Sequence, residues 1–168
     1  MAASEVLALR DGDRAFVADR RFYPVVFIKW WGEMNEPLVR AAFRWLDEVN
    51  AQARADGIKV VSVNDSRMSK RPPATIRKLM AELIDETGHD DALPSIVVME
   101  NPLIRGAMTA MRWLSSREWK VETTADVPAG LRRALALLAE AGVAGPRGLD
   151  PDRFEIPELP AVDTSATA

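Results

Sequence analysis

Residues 65–71, Asp-Ser-Arg-Met-Ser-Lys-Arg, gather one acid, two hydroxyls and three cations directly after an apolar run. An acid at a strand end followed by cations before a helix is a pattern that can hold charge, because helix amino ends attract anions. Arg67, Lys70 and Arg71 are candidate partners of a phosphate or another anion. Ser66 and Ser69 are candidate switch residues, since a phosphorylated serine would be stabilised by the same cations. The plainer alternative is a solvated polar loop in which Ser69 or Thr75 caps the next helix.

Other reactive groups are sparse. Asp65 and Glu100 end neighbouring apolar runs and could form a carboxylate pair, or each could pair with a nearby cation such as Arg67 or Arg105. The single histidine, His89, lies between Gly88 and Asp90-Asp91 in a polar stretch without metal-ligand spacing. The chain has no cysteine, which excludes disulfides and thiolate metal sites. One histidine and no thiol leave few nucleophile–base arrangements. Gly32 stands alone after its strand, so no glycine-rich phosphate loop is present. No catalytic residue, metal site or cofactor is assigned.

These groups need elements to hold them. Strands are expected over 14–23, 24–31, 58–65, 95–100 and 118–124, each rich in β-branched or aromatic residues or in two-residue alternation. Four helices alternate with them. The first is capped by Asn35 and ended by Gly57, and the second covers about 74–86. The third opens at Asn101-Pro102 with a stripe of Leu103, Ile104, Ala107, Met108, Met111 and Leu114. The fourth is capped by Asp126 or Thr124 and closed by Gly142. Residues 66–73 are expected as a loop. The order implies an α/β fold: a mainly parallel mixed sheet of about five strands with an antiparallel N-terminal pair. A single domain over 1–144 is followed by a Pro-rich tail over 145–168, in which Phe154, Ile156 and Leu159 are candidates for docking on the body.

Strand composition suggests that helices stack mostly on one face. Strands sandwiched on both faces read as continuous apolar runs. Here Lys29 interrupts one face of 25–31, and Lys120 and Glu122 occupy one face of the last strand. Trp30 and Trp31 are adjacent in a strand, so they point to opposite faces. One enters the helix-covered core. The other needs a cover: the chain's own termini, a partner or second copy, or a small molecule.

The whole chain sets outer limits. It has 168 residues, enough for one ordinary core, and 48% of them are hydrophobic, which argues against disorder. A net charge of −3 gives no electrostatic basis for nucleic-acid binding. No signal-peptide pattern opens the chain and no apolar run suits a membrane span, so a cytoplasmic protein without membrane insertion is expected.

Three segments together resemble a known family: "VVFIKWWGEMNEPLVRAAF", "KVVSVNDSRM" and "WKVETTADVPAGLRRALALL". Their order is similar to that of STAS-like domains, in particular the SpoIIAA-like bacterial group, over about residues 14–142. The resemblance implies a non-catalytic bacterial regulatory or scaffolding domain that binds a protein partner, with self-association as a further candidate. Asp65 matches the family's strand-end acid, and Ser66 and Ser69 are positional candidates for its switch serine. The family's Asp-Ser-Ser-Gly-like segment is replaced here by Asp65-Ser66-Arg67-Met68-Ser69 and two prolines. The working surface would comprise Trp30 or Trp31, Glu33, Asn35, residues 65–71, Asn101 and Arg105. The alternative is a protein that binds an anionic compound or lipid, or a small enzyme, using the same strand-end loops.

Overall fold

Apolar alternation builds six strands into one sheet. A computed structural model describes residues 5–87, 93–116 and 120–159, apart from the side chains of 103, 104, 111 and 112. The expected loop around His89, the start of the last expected strand, the contacts of Leu103, Ile104 and Met111, and residues 160–168 lie outside the described residues. The strands are β1 (Val6–Asp11), β2 (Arg14–Asp19), β3 (Val25–Gly32), β4 (Val61–Ser69), β5 (Ser95–Val98) and β6 (Val121–Thr124). The helices are α1 (Glu36–Asp56), α2 (Ala74–Thr87), α3 (Pro102–Leu114) and α4 (Val127–Glu140).

Strand order in the sheet follows chain order, from β1 to β6. β2 runs antiparallel to both its neighbours, β1 and β3, and β3 to β6 run parallel. The sheet therefore has one strand more than the sequence suggests. β1 is joined to β2 by Gly12-Asp13, with Asp11 opposite Arg14 and Gly12 at φ 61°. Glycine at the first position of a two-residue hairpin accepts that dihedral without steric cost.

The placement of the helices follows from this order. Successive parallel strands laid down in one direction, joined by crossovers of one hand, put their connecting helices on one face. α1, α2 and α3 obey this. Trp45 and Val49 of α1 and Ile76 and Leu79 of α2 bury against Phe16, Val26, Ile28 and Trp30. Met108 of α3 meets Val97 and Met99. No strand follows α4, so the rule does not bind it, and it packs on the opposite face. There Leu131, Ala134 and Leu138 cover Phe27, Val63, Ile96 and Val98.

Two caps match their sequence signals. The Leu38 amide donates to Asn35 Oδ1 at 3.1 Å, and the Ala129 amide donates to Asp126 Oδ1 at 2.7 Å. Gly57 ends α1 in a left-handed conformation. Beyond α4 the chain turns back, and Phe154 and Ile156 pack on the α4 side of the sheet. The Phe154 ring lies 4.9 Å from Phe27 and 5.9 Å from Phe22.

Candidate functional site

β3 and β4 are parallel neighbours, so their carboxyl ends open on the same edge of the sheet. Lys29 pairs with Asp65 in register, and both face the α4 side with Phe27 and Val63. The register then shifts: Trp31 pairs with Met68, so β4 spends two residues, Ser66 and Arg67, opposite Trp30 alone. Such a bulge re-aims side chains at a strand end. Here it brings out Arg67 and Met68, and Met68 is 58% exposed.

Asp65 is completely buried, and all its donors come from this corner. The Arg67 amide donates to Oδ1 at 3.2 Å, Arg67 Nε to Oδ1 at 2.9 Å and Arg67 Nη2 to Oδ2 at 2.9 Å. Lys29 Nζ lies 3.3 Å from Oδ2 and 5.1 Å from the centre of the Trp31 ring. Burial alone would favour the neutral acid. The hydrogen bonds from Arg67 and the charge of Lys29 outweigh it and hold the carboxyl below the usual range. The Arg67 guanidinium is pushed up, chiefly by its hydrogen bond to Asp65, with Glu100 and Asp126 adding smaller attractions. A carboxylate so enclosed has both oxygens engaged by cations. Its effect is to fix a planar, two-pronged cation at the sheet rim.

The remaining sequence candidates separate. Trp30 is 6% exposed and packs 5.0 Å from Phe16 under α1, so it belongs to the core rather than to a surface. Trp31 is half-buried on the opposite face. The expected loop 66–73 is shorter than the sequence suggests, because β4 continues to Ser69. Ser66 and Ser69 are buried within that strand, before the amino end of α2 at Ala74. Ser69 Oγ donates to the Ser66 carbonyl at 2.8 Å. The Lys70 amide donates to the Gly32 carbonyl at 2.8 Å, while the side chains of Lys70 and Arg71 are exposed and meet no acid among the described residues. Glu33 lies 3.9 Å from Arg14. Asn35 is committed to the α1 cap and donates Nδ2 to Asp11 at 2.5 Å. Asn101 and Arg105 are exposed at the opening of α3, where the Arg105 amide donates to the Asn101 carbonyl at 3.3 Å.

Lys29 and Met68 belong to the constellation although sequence reasoning did not select them. Lys29 carries a signal: it is the one charge in the apolar run 24–31. Met68 carries none, because its exposure follows from the bulge. Among the described residues no group of acids and histidine is arranged to hold a metal ion, and no helix is long and apolar enough to cross a membrane.

No protein-family model matches the chain, and no curated protein matches it. Solved structures do. An uncharacterized protein of the DUF3478 family with a SpoIIAA-like fold, from Shewanella loihica PV-4, matches with a TM-score of 0.50 and 13% identity. The match covers 80% of this chain and 98% of that one. An anti-sigma factor antagonist from Mycobacterium paratuberculosis matches over the same shares, 80% and 98%, at 16% identity and a TM-score of 0.40. Likeness at these identities concerns architecture alone, and in architecture the chain has the SpoIIAA-like, STAS-like fold.

Proposed function

We propose that the chain is a non-catalytic bacterial regulatory or scaffolding domain that binds a protein partner at the carboxyl ends of β3 and β4. One observation carries this reading: Arg67, clamped by the buried Asp65, stands beside the exposed Met68 and the half-buried Trp31. A fixed arginine next to large apolar groups is the residue mixture enriched in protein interfaces. Lys70 and Arg71 would form the cationic rim of that surface. The topology agrees. Connections from β3, β4 and β5 all leave toward the α1 side, so no crevice separates these strand ends in the way that binds ligands in doubly wound sheets.

The test places a photo-crosslinking residue at position 68 in the native cell. The expected result is a discrete protein adduct that is lost in Arg67→Glu. An adduct pattern indifferent to Arg67 would count against the reading.

A further inference from the structure

The sheet carries the same side-chain device twice. At the end of β2, the Arg21 amide donates to Asp19 Oδ1 at 2.9 Å, Arg21 Nε to Oδ1 at 3.0 Å and Arg21 Nη2 to Oδ2 at 2.8 Å. At the bulge of β4, Arg67 grips Asp65 through the same three groups. Both aspartates are buried, and both sit on the α4 side of the sheet. In each case an apolar residue follows the arginine, Phe22 in one and Met68 in the other. In each case β3 supplies an aromatic on the same face, Phe27 in one and Trp31 in the other.

The first device is occupied. Arg21 Nη2 also donates to the Glu155 carbonyl at 3.1 Å, and the preceding residue, Phe154, sets its ring at a tilt to Phe22 and edge-on to Phe27. The ligand there is a stretch of the chain's own C-terminal segment that lies outside any helix or strand. It contributes an aromatic side chain followed by a main-chain carbonyl. The second device lacks that ligand. The remaining N–H groups of Arg67 meet no acceptor among the described residues, Met68 is exposed, and Trp31 is covered on one side by Lys29.

We infer that the Asp65–Arg67 clamp takes a segment of a partner protein whose aromatic residue, followed by a free main-chain carbonyl, seats as Phe154-Glu155 seats on Arg21. This deepens the proposed function and rests on it. The charges favour a carbonyl over an anion. Arg67 and Lys29 share Asp65, and Arg67 also lies within the field of Glu100 and Asp126, so this corner sets two cations against three acids and has no surplus positive charge to offer a carboxylate or phosphate. Because the chain's own copy of this segment is held on the first device, the occupant is a foreign segment rather than the strap of a second copy.

The test is a titration of the isotope-labelled full chain with a peptide of residues 150–158, Asp-Pro-Asp-Arg-Phe-Glu-Ile-Pro-Glu, followed by NMR. Saturable shifts are expected at the Arg67 Nε–H, the Trp31 indole N–H and the Met68 methyl. Arg67→Lys keeps the charge but loses the fork, and should weaken binding about tenfold, the scale of one charge-assisted hydrogen bond. A peptide with alanine in place of its phenylalanine should lose the shifts, which frees the test from any change in the protein's folding. Shifts confined to Arg21, Phe22 and Phe27, or none, would overturn the inference. So would self-association of the chain through Arg67 in the absence of peptide. The crosslink at position 68 separates the two levels. If the peptide fails but the Arg67-dependent adduct persists, the segment chemistry is wrong and the interaction surface stands; if both fail, the surface falls as well.

Discussion

Asp65 is where burial and charge meet most sharply. Two cations depend on it, and it has no contact with solvent. Asp65→Asn should cost about 3 kcal/mol, the lower end for breaking a buried pair, because both cations still reach water. Chemical denaturation at pH 7 measures this. The pH dependence has a definite sign. The folded-state pKa lies below the unfolded one, so the stabilisation is complete above the ordinary aspartate range of about 4. It is lost as the pH falls through the lower, folded-state value. The unfolding midpoint of the wild type should therefore drop on acidification more steeply than that of Asp65→Asn. A second residue tests the opposite situation. Trp45 Nε1 is buried with no hydrogen-bond partner among the described residues. Removing an unsatisfied donor offsets much of the lost packing, so Trp45→Phe should change stability by no more than about 1 kcal/mol in thermal unfolding. Asp65 and Arg67 were legible in the sequence, because an acid followed by cations at a strand end is a local pattern. Their link to Lys29 was not, because it depends on which residues of two strands stand opposite each other.

Elements were legible where their signals are local. Asn35 and Asp126 cap their helices as their side chains suggest, and Gly57 ends α1. β1 escaped sequence reading although "RDGDR" contains an Asp-Gly pair between apolar runs, a hairpin signal in its own right. The continuation of β4 to Ser69 escaped for a different reason. Three of its four residues are polar, and only the bulge sends Ser66 and Ser69 inward while Arg67 and Met68 face out. The burial of Ser69 leads to a prediction at this scale. Ser69→Asp would place a carboxylate where a hydroxyl now serves the Ser66 carbonyl, and should lower stability by roughly 2 kcal/mol or more. Ser69→Ala should cost about 1 kcal/mol; equilibrium unfolding compares the two. Helix α4 offers another test. A Cβ on Gly130 would stand 3.1 Å from Thr124 Oγ1, 3.2 Å from Val63 Cγ1 and 3.3 Å from Val98 Cγ2. The threonine can rotate, but the two valines are buried and stiff at χ1. Crowding should exceed the gain in helix propensity, leaving Gly130→Ala destabilised by about 1 kcal/mol in the same assay.

At the scale of the molecule, the sheet has two differently finished faces. Three helices close one, while α4 and the returning C-terminal segment cover the other except at the Arg67–Met68 corner. Phe154 is the anchor of that return, half-buried between two aromatic rings. Phe154→Ala should lower stability by roughly 2 kcal/mol, less than a fully buried phenylalanine would, and uncover Phe22 and Phe27 to an apolar dye. The concordance of strand order with chain order has a consequence for how the protein is made. During synthesis each strand emerges after the one it will pair with, so it meets an edge that is already in place. Assembly can proceed outward from the amino-terminal hairpin while the ribosome is still translating. The segment bearing Phe154 leaves after all six strands and covers part of a face that, until then, is open to other proteins in the cell.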